Sequence, residues 1–319
     1  MRDLKVVVFG GNGFIGSHLI AQLAGEGVRV VVPTRRPERA GHLSMLPAVQ
    51  VVAAQIGKDD LVPLLQGADA AINLVGVLHS RRGTPYGPEF KHAHVDIVRR
   101  ITAACAAAGV PRYLHMSALG ADIDGPSMYQ RSKADGEVAA RAEPAVAATI
   151  FRPSVVFGPG DNFLNMFARM QRFLPVIPLA CADAEFQPIF VGDVARAFIN
   201  ALKDPKTRQQ VFALGGPAMY TLAELVRLAG RYSHHPRPII ALPAALGRLQ
   251  ATLFELLPGE PLMSRDNLDS MQHDNVIDPA IQALTAATLG IKLTALEAVA
   301  PGYLSPHDRF DDFRARAGR

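Results

Sequence analysis

In the first half of the chain, short uninterrupted apolar runs alternate with longer amphipathic stretches. Val6-Val7-Val8-Phe9 is the first run. It lacks the apolar/polar alternation of a strand with one wet face, so it predicts a parallel strand buried on both sides. Similar runs predict strands over residues 28–32, 49–53, 70–74, 112–117 and 148–151. Between them the 3.6-residue period predicts helices from Ser17 through Leu23, then over residues 59–66, 90–108 and 129–142. Gly109-Val110-Pro111 stops the long third helix. Regular strand–helix alternation gives the fold class: α/β, with a doubly wound parallel sheet.

Beyond Phe157-Gly158-Pro159-Gly160 the alternation stops, and prolines, helices and short strands take over. The pattern divides the chain into a first domain over residues 1–160, to which residues 186–214 return, and a smaller, discontinuous, mostly helical lobe from residues 161–185 and 215–319. Asp193, opening the returning helix, reads as its N-cap. Residues 242–257 are amphipathic, with Leu246, Leu249, Leu253 and Leu257 near one face. That face reads as core of the second lobe, or else as a surface for a membrane-bound partner or a quinone-like substrate. The mixed charges of residues 308–314 read as a solvated end.

Composition narrows the class. A chain of 319 residues buries its own core without staples, and two cysteines, Cys105 and Cys181, make no disulfide framework or metal-ligand pattern. Cys105, among alanines, reads as a small core residue. His92 and His94 diverge on a helix and do not share a metal. Lys and Arg exceed Asp and Glu by 33 to 29 and are scattered, which argues against a nucleic-acid surface. With no secretory signal and no apolar run of membrane-spanning length, the expectation is a cytoplasmic protein.

The first strand runs into Gly10-Gly11-Asn12-Gly13-Phe14-Ile15-Gly16 and then a helix. Glycines on such a turn let a diphosphate reach backbone N–H groups at the positive end of the helix, the Rossmann arrangement for a dinucleotide. No acid stands between Gly27 and Glu38 to bind a ribose 2′-hydroxyl. The second strand ends instead at Arg35 and Arg36, whose guanidinium groups suit a 2′-phosphate. NADP(H) is therefore expected over NAD(H). Gln55 with Ile56, and Leu74-Val75-Gly76 after the fourth strand, fall at strand carboxyl ends, where such sheets bind ligands. Met116 closes the fifth strand at the same end.

Tyr129 and Lys133 stand four residues apart, on one face of a predicted helix. An ammonium beside a phenol is expected to lower the phenol's pKa, making Tyr129 an acid/base near neutrality. Lys133 could also reach the nicotinamide ribose. Ser117 ends the preceding strand and is placed to polarise a carbonyl.

These residues together resemble the short-chain dehydrogenase/reductase superfamily, specifically its extended branch of sugar-nucleotide epimerases and dehydratases. The resemblance implies Gly10, Gly13 and Gly16 as the glycine motif, and Ser117, Tyr129 and Lys133 as the catalytic trio. It implies Pro153, Ser154 and Val155, after Arg152, as the segment flanking nicotinamide. Phe9 to Gly16, residues 115–122 and residues 157–165 resemble one atypical subgroup. It includes the nucleotide-binding accessory subunit of mitochondrial complex I (alpha subcomplex subunit nine), its bacterial relatives and a ubiquinone-biosynthesis protein. There the resemblance implies a tightly held NADPH with no demonstrated turnover, a respiratory-complex or membrane-associated partner, and, by family habit, a homodimer. Three readings stand: an NADP(H)-dependent oxidoreductase on a carbonyl or quinone-like compound, a non-catalytic NADPH-holding subunit or assembly factor, and a sugar-nucleotide epimerase or dehydratase. Three departures from the catalytic branch bear on them: His94 where an asparagine is usual, Gln55 where an acid is usual, and a short loop between Ser117 and Tyr129.

Overall fold

A computed structural model describes residues 4–257, 259, 261–278, 280 and 284–305; the tail at residues 308–314 lies outside them. Six strands follow the predicted order: β1 Lys5–Phe9, β2 Arg29–Thr34, β3 Val49–Ala53, β4 Ala70–Asn73, β5 Arg112–Met116 and β6 Ala147–Pro153. They lie side by side as β3-β2-β1-β4-β5-β6, and Val211–Leu214 adds to β6, all parallel. The chain order reverses between β1 and β4, leaving a crevice at their carboxyl ends.

The period of a strand explains why the first run is apolar throughout. Val6 and Val8 enter one core, against Leu19, Ile20 and Leu23 of helix α1 (Phe14–Gly25) and against Val194 and Phe198 of the Val191–Lys203 helix. Val7 and Phe9 enter the opposite core, against Val98, Ile101 and Cys105 of the Ile97–Ala108 helix. Each of these strand residues is fully buried, worth about 1.5–3 kcal/mol apiece on transfer. Gly109, at φ +72°, ends the Ile97–Ala108 helix, with Val110 N–H donating to Cys105 O at 2.9 Å.

Several elements depart from the sequence reading. The helix expected over residues 59–66 shrinks to Val62–Leu65, because Asp59 and Asp60 turn back onto the backbone N–H groups of Gln55 and Val62. The helix expected from residue 90 begins at Pro88 and passes through a π-helical stretch at Lys91–Asp96 before Ile97–Ala108. Asp193 is not a cap. It lies inside the Val191–Lys203 helix, and its carboxylate accepts the backbone N–H and the hydroxyl of Thr294. Leu284–Thr285 pairs with Val211–Leu214 as an eighth strand, so part of the stretch assigned wholly to the second lobe belongs to the main sheet.

The remaining elements include the helices Phe163–Phe173, Leu222–Tyr232, Ala244–Glu255, Arg265–Ser270 and Leu296–Leu304, with short strand pairs such as Ile177–Ala180 on Ile239–Leu242. The leucine stripe expected in this lobe's core faces outward. Gly247 and Ala251 are the buried residues of the Ala244–Glu255 helix, whereas Leu246, Leu249 and Leu253 are each more than half exposed.

Candidate nucleotide and proton-transfer site

The glycine turn is built as the sequence implies. Gly10 has φ +77°, and a Cβ there would meet the backbone of Leu74 at 2.9 Å. Gly16 packs so closely on Gly11 that a Cβ would stand 2.5 Å from Gly11 O. Gly13 is exposed and caps α1 with extended backbone and no side chain, so nothing of its own covers the helix's first N–H groups. Asn12 Oδ1 beside it is buried and accepts no hydrogen bond among the described residues. Asn12, Gly13 and Phe14 line a cavity of about 320 Å³ with Pro159, Gly160 and Asn162. Unfilled donors at a helix N-terminus, an unpartnered buried polar atom and adjacent open space fit a diphosphate. Arg35 and Arg36 are exposed at the end of β2, and neither makes an ion pair among the described residues. Gln55 is exposed, and its backbone N–H donates to Asp59.

Across the crevice lies the Met128–Ala140 helix. Ser127 and Gln130 form a reciprocal cap at its start, and Asp266, from the Arg265–Ser270 helix, accepts the N–H groups of Met128 and Tyr129 at 2.7 and 3.1 Å. The backbone at Tyr129 is thus anchored by a residue 137 positions along the chain. Lys133 is one turn on, with Nζ 5.9 Å from the Tyr129 ring centre and donating to Met116 O at 3.0 Å. A Cβ on Gly76, just past β4, would stand 3.8 Å from that Nζ, so the switch-point loop and the Tyr–Lys pair share one space.

The expected lowering of the Tyr129 pKa is not realised. Burial pushes Tyr129 up to about 12 and Lys133 down to about 8, because desolvation of each charged form dominates. His94 is buried in a defined tautomer. Val77 N–H donates to its Nε2 at 3.2 Å, and Ser132 Oγ, 2.8 Å from Nδ1, spends its own proton on Tyr129 O, so Nδ1 carries the hydrogen. Burial and the Lys133 charge hold its pKa well below the ordinary histidine range. His92, two residues away, is exposed.

Ser117 has a hydrogen-bond partner of its own. Its buried hydroxyl donates to Glu137 Oε1 at 2.6 Å, and Arg152 clasps the same carboxylate through Nε and Nη2 at 2.7 and 2.8 Å. Glu137 escaped the sequence reading although it was detectable: Tyr129, Lys133 and Glu137 recur every four residues on one helix face. Ser154, expected beside nicotinamide, donates to Asn275 Oδ1 at 2.6 Å and to Asn275 O at 2.8 Å. Asn275 and Asp266 come from far along the chain, and no local pattern marks them.

A larger cavity, about 840 Å³, opens at the Met128 end of the helix, lined by Arg81, Arg82, Arg131 and Arg265 among others. Arg81 and Arg265 are paired with Glu89 and Glu255, and Arg131 is spent on the carbonyls of Pro85, Gly125 and Pro126.

Comparison with known proteins agrees with this geometry. Residues 6–215 match the model of the NAD dependent epimerase/dehydratase family. The mouse protein named NADH dehydrogenase [ubiquinone] 1 alpha subcomplex subunit 9, mitochondrial, is 32% identical over 306 residues, 93% of this chain and 78% of that protein. A ceramide reductase of Caulobacter vibrioides is 31% identical over 240 residues, 75% of this chain and 73% of that one. In fold, a dTDP-glucose 4,6-dehydratase from Streptomyces venezuelae with NAD bound superposes with TM-score 0.73 at 19% identity, covering 98% of both chains. The glycine turn, the strand order and these relatives together make the chain a member of the NAD dependent epimerase/dehydratase family, the extended branch of the short-chain dehydrogenases/reductases.

Proposed function

We propose that this chain binds NADP(H) across the β1/β4 crevice and acts as an oxidoreductase on the carbonyl of an apolar, quinone-like compound. When bound, the dinucleotide supplies or accepts hydride. The rest falls to the chain's own residues. The N–H groups at the start of α1 and Asn12 hold the diphosphate, Arg35 and Arg36 hold the 2′-phosphate, and Leu74, Val75 and Gly76 border the nicotinamide side. Tyr129 gives a proton to the developing alkoxide, and Lys133, already close to neutral pH in its titration, resupplies it. The observation that supports this best is the proximity of Gly76 to Lys133 Nζ, which brings the cofactor loop beside the proton-transfer pair.

A second reading is favoured by a specific contact. The Ser117 hydroxyl is engaged by Glu137, which leaves the trio without its carbonyl-orienting member and suits a subunit that holds NADPH without consuming it. Such a protein would work on the cytoplasmic side of a membrane beside a respiratory or quinone-forming partner. The sugar-nucleotide reading has less support, because three of the arginines in the larger cavity are already committed.

Fluorescence titration with NADPH and NADH tests the first step. NADPH is expected to bind on the order of 10-fold or more tighter than NADH, with the difference lost in Arg35→Ala/Arg36→Ala. Oxidation of NADPH by a quinone or carbonyl panel, abolished by Tyr129→Phe while binding persists, establishes turnover. Tight NADPH binding with no consumption assigns the holding role, and binding of neither nucleotide overturns both readings.

A further inference from the structure

We propose that the outward leucine face of the Ala244–Glu255 helix docks this protein on a membrane surface rich in anionic phospholipid. This deepens the membrane placement above by naming the surface and the headgroup charge, and it does not depend on the cofactor assignment. The helix packs inward through its smallest residues, Gly247 and Ala251, and turns its leucines to solvent, with Leu249 and Leu253 56% and 55% exposed. An apolar stripe of this length facing water on a folded lobe marks an interaction surface.

The apolar surface extends beyond the helix. Gly247 lies on Ala180, and Gln250 Nε2 donates to Pro178 O, so the helix runs antiparallel to the Ile177–Ala180 strand. Its C-terminal leucines therefore approach the end of that strand which Phe173 and Leu174 lead into. Phe173 is 79% exposed, and Ile240, on the paired strand, is exposed by more than half.

Charge selects the occupant. Between Asp161 and Asp183, and again between Glu224 and Glu255, the chain carries arginines and no carboxylate side chain. Those two stretches supply both strands, Phe173 and the helix up to Phe254; Glu255, its last residue, is paired with Arg265. Arg248 is neutralised by Asp269. Arg169 and Arg172 are exposed and in no ion pair among the described residues, and Arg237, bonded through Nε to Gln171 O, stands beside them. A two-fold contact with a second copy would set this cationic border against itself. A sheet of phosphate headgroups over acyl chains complements both the leucines and the arginines.

The test is flotation of the full chain with vesicles of phosphatidylcholine alone and of an equal mixture with phosphatidylglycerol, at low and high salt. The mixed vesicles are expected to bind about 10-fold or more tighter, and salt is expected to weaken that preference. Leu249→Glu/Leu253→Glu should lose about 10-fold or more on both vesicles, and Arg169→Glu/Arg172→Glu should lose the preference for the anionic ones. All substituted side chains are solvent-facing, so thermal unfolding and NADPH titration of both variants should match the parent, which separates loss of docking from loss of fold or cofactor. Failure of the parent chain to bind anionic vesicles, or variants that bind as the parent does, overturns the proposal. So does a solution dimer that Leu249→Glu/Leu253→Glu dissociates without any lipid binding, which assigns the face to a second copy.

Discussion

The two sides of the crevice are finished differently. On the glycine side polar capacity is left over among the described residues: Gly13 caps α1 without a side chain, Asn12 Oδ1 has no hydrogen-bond partner there, and Arg35 and Arg36 make no ion pair there. On the Ser117 side the polar groups are consumed, with hydroxyl, carboxylate and guanidinium bonded to one another at 2.6–2.8 Å. Buried polar groups without partners cost free energy unless something arrives to satisfy them. The first side is therefore arranged to receive a ligand. The second is arranged to hold the fold, and Tyr129 and Lys133 lie at the border between them.

That contrast can be broken by experiment, and the largest effect is expected at Glu137. Glu137→Ala leaves Arg152 without its partner and should lower stability by about 3–5 kcal/mol in chemical denaturation. A change below about 1 kcal/mol would mean the Ser117 corner is not structural. Next comes a pH effect at the border. The native Lys133 titrates at about 8 and the unfolded side chain near 10.4, so between those values the unfolded chain binds the proton that the native state has released. Stability should therefore rise with pH across that window, by up to about 3 kcal/mol, and Lys133→Met should flatten the rise. Tyr129 acts with the opposite sign at higher pH. Its native value is raised to about 12, so its contribution is lost as pH climbs above about 10.

On the glycine side, Gly13→Asp places a carboxylate where the diphosphate is proposed to sit. NADPH affinity should fall on the order of 100-fold, whereas the stability of the free protein should change by less than about 1 kcal/mol, the N-cap gain offsetting the 3.3 Å approach of the new Cβ to Gly10 O. Unchanged affinity in the titration would remove the ligand from this turn. The smallest effect is expected for Ser117→Ala, which removes one hydrogen bond while Arg152 still holds Glu137. It should cost about 1 kcal/mol in stability and change any turnover less than about 3-fold. A drop in kcat on the order of 100-fold at unchanged stability would return Ser117 to the reacting carbonyl.

Much of the fold was legible because its signals are local. Four consecutive apolar residues in β1 require two covered faces, glycines after that strand require a close backbone approach, and a four-residue spacing puts Tyr129 and Lys133 on one helix face. That six strands run parallel in one sheet followed from alternation, whereas their side-by-side order came from the structure. The partners of those residues were less legible. Ser117 looked like a free strand-end hydroxyl until Glu137 and Arg152 were brought to it, and the Tyr–Lys spacing predicted a lowered phenol pKa that burial reversed. Asp266 and Asn275, which fix Tyr129 and Ser154, are 137 and 121 residues away from them.

The sequence by itself determined the α/β architecture, the glycine turn and the family to which the chain belongs, because backbone preferences and side-chain periods act over a few residues. Tertiary structure alone decided which polar groups are spent, which remain open to a ligand, and that the leucines of the Ala244–Glu255 helix face water. The amphipathic period of a helix specifies that one face is apolar. Only the packing of the other elements settles whether that face is covered.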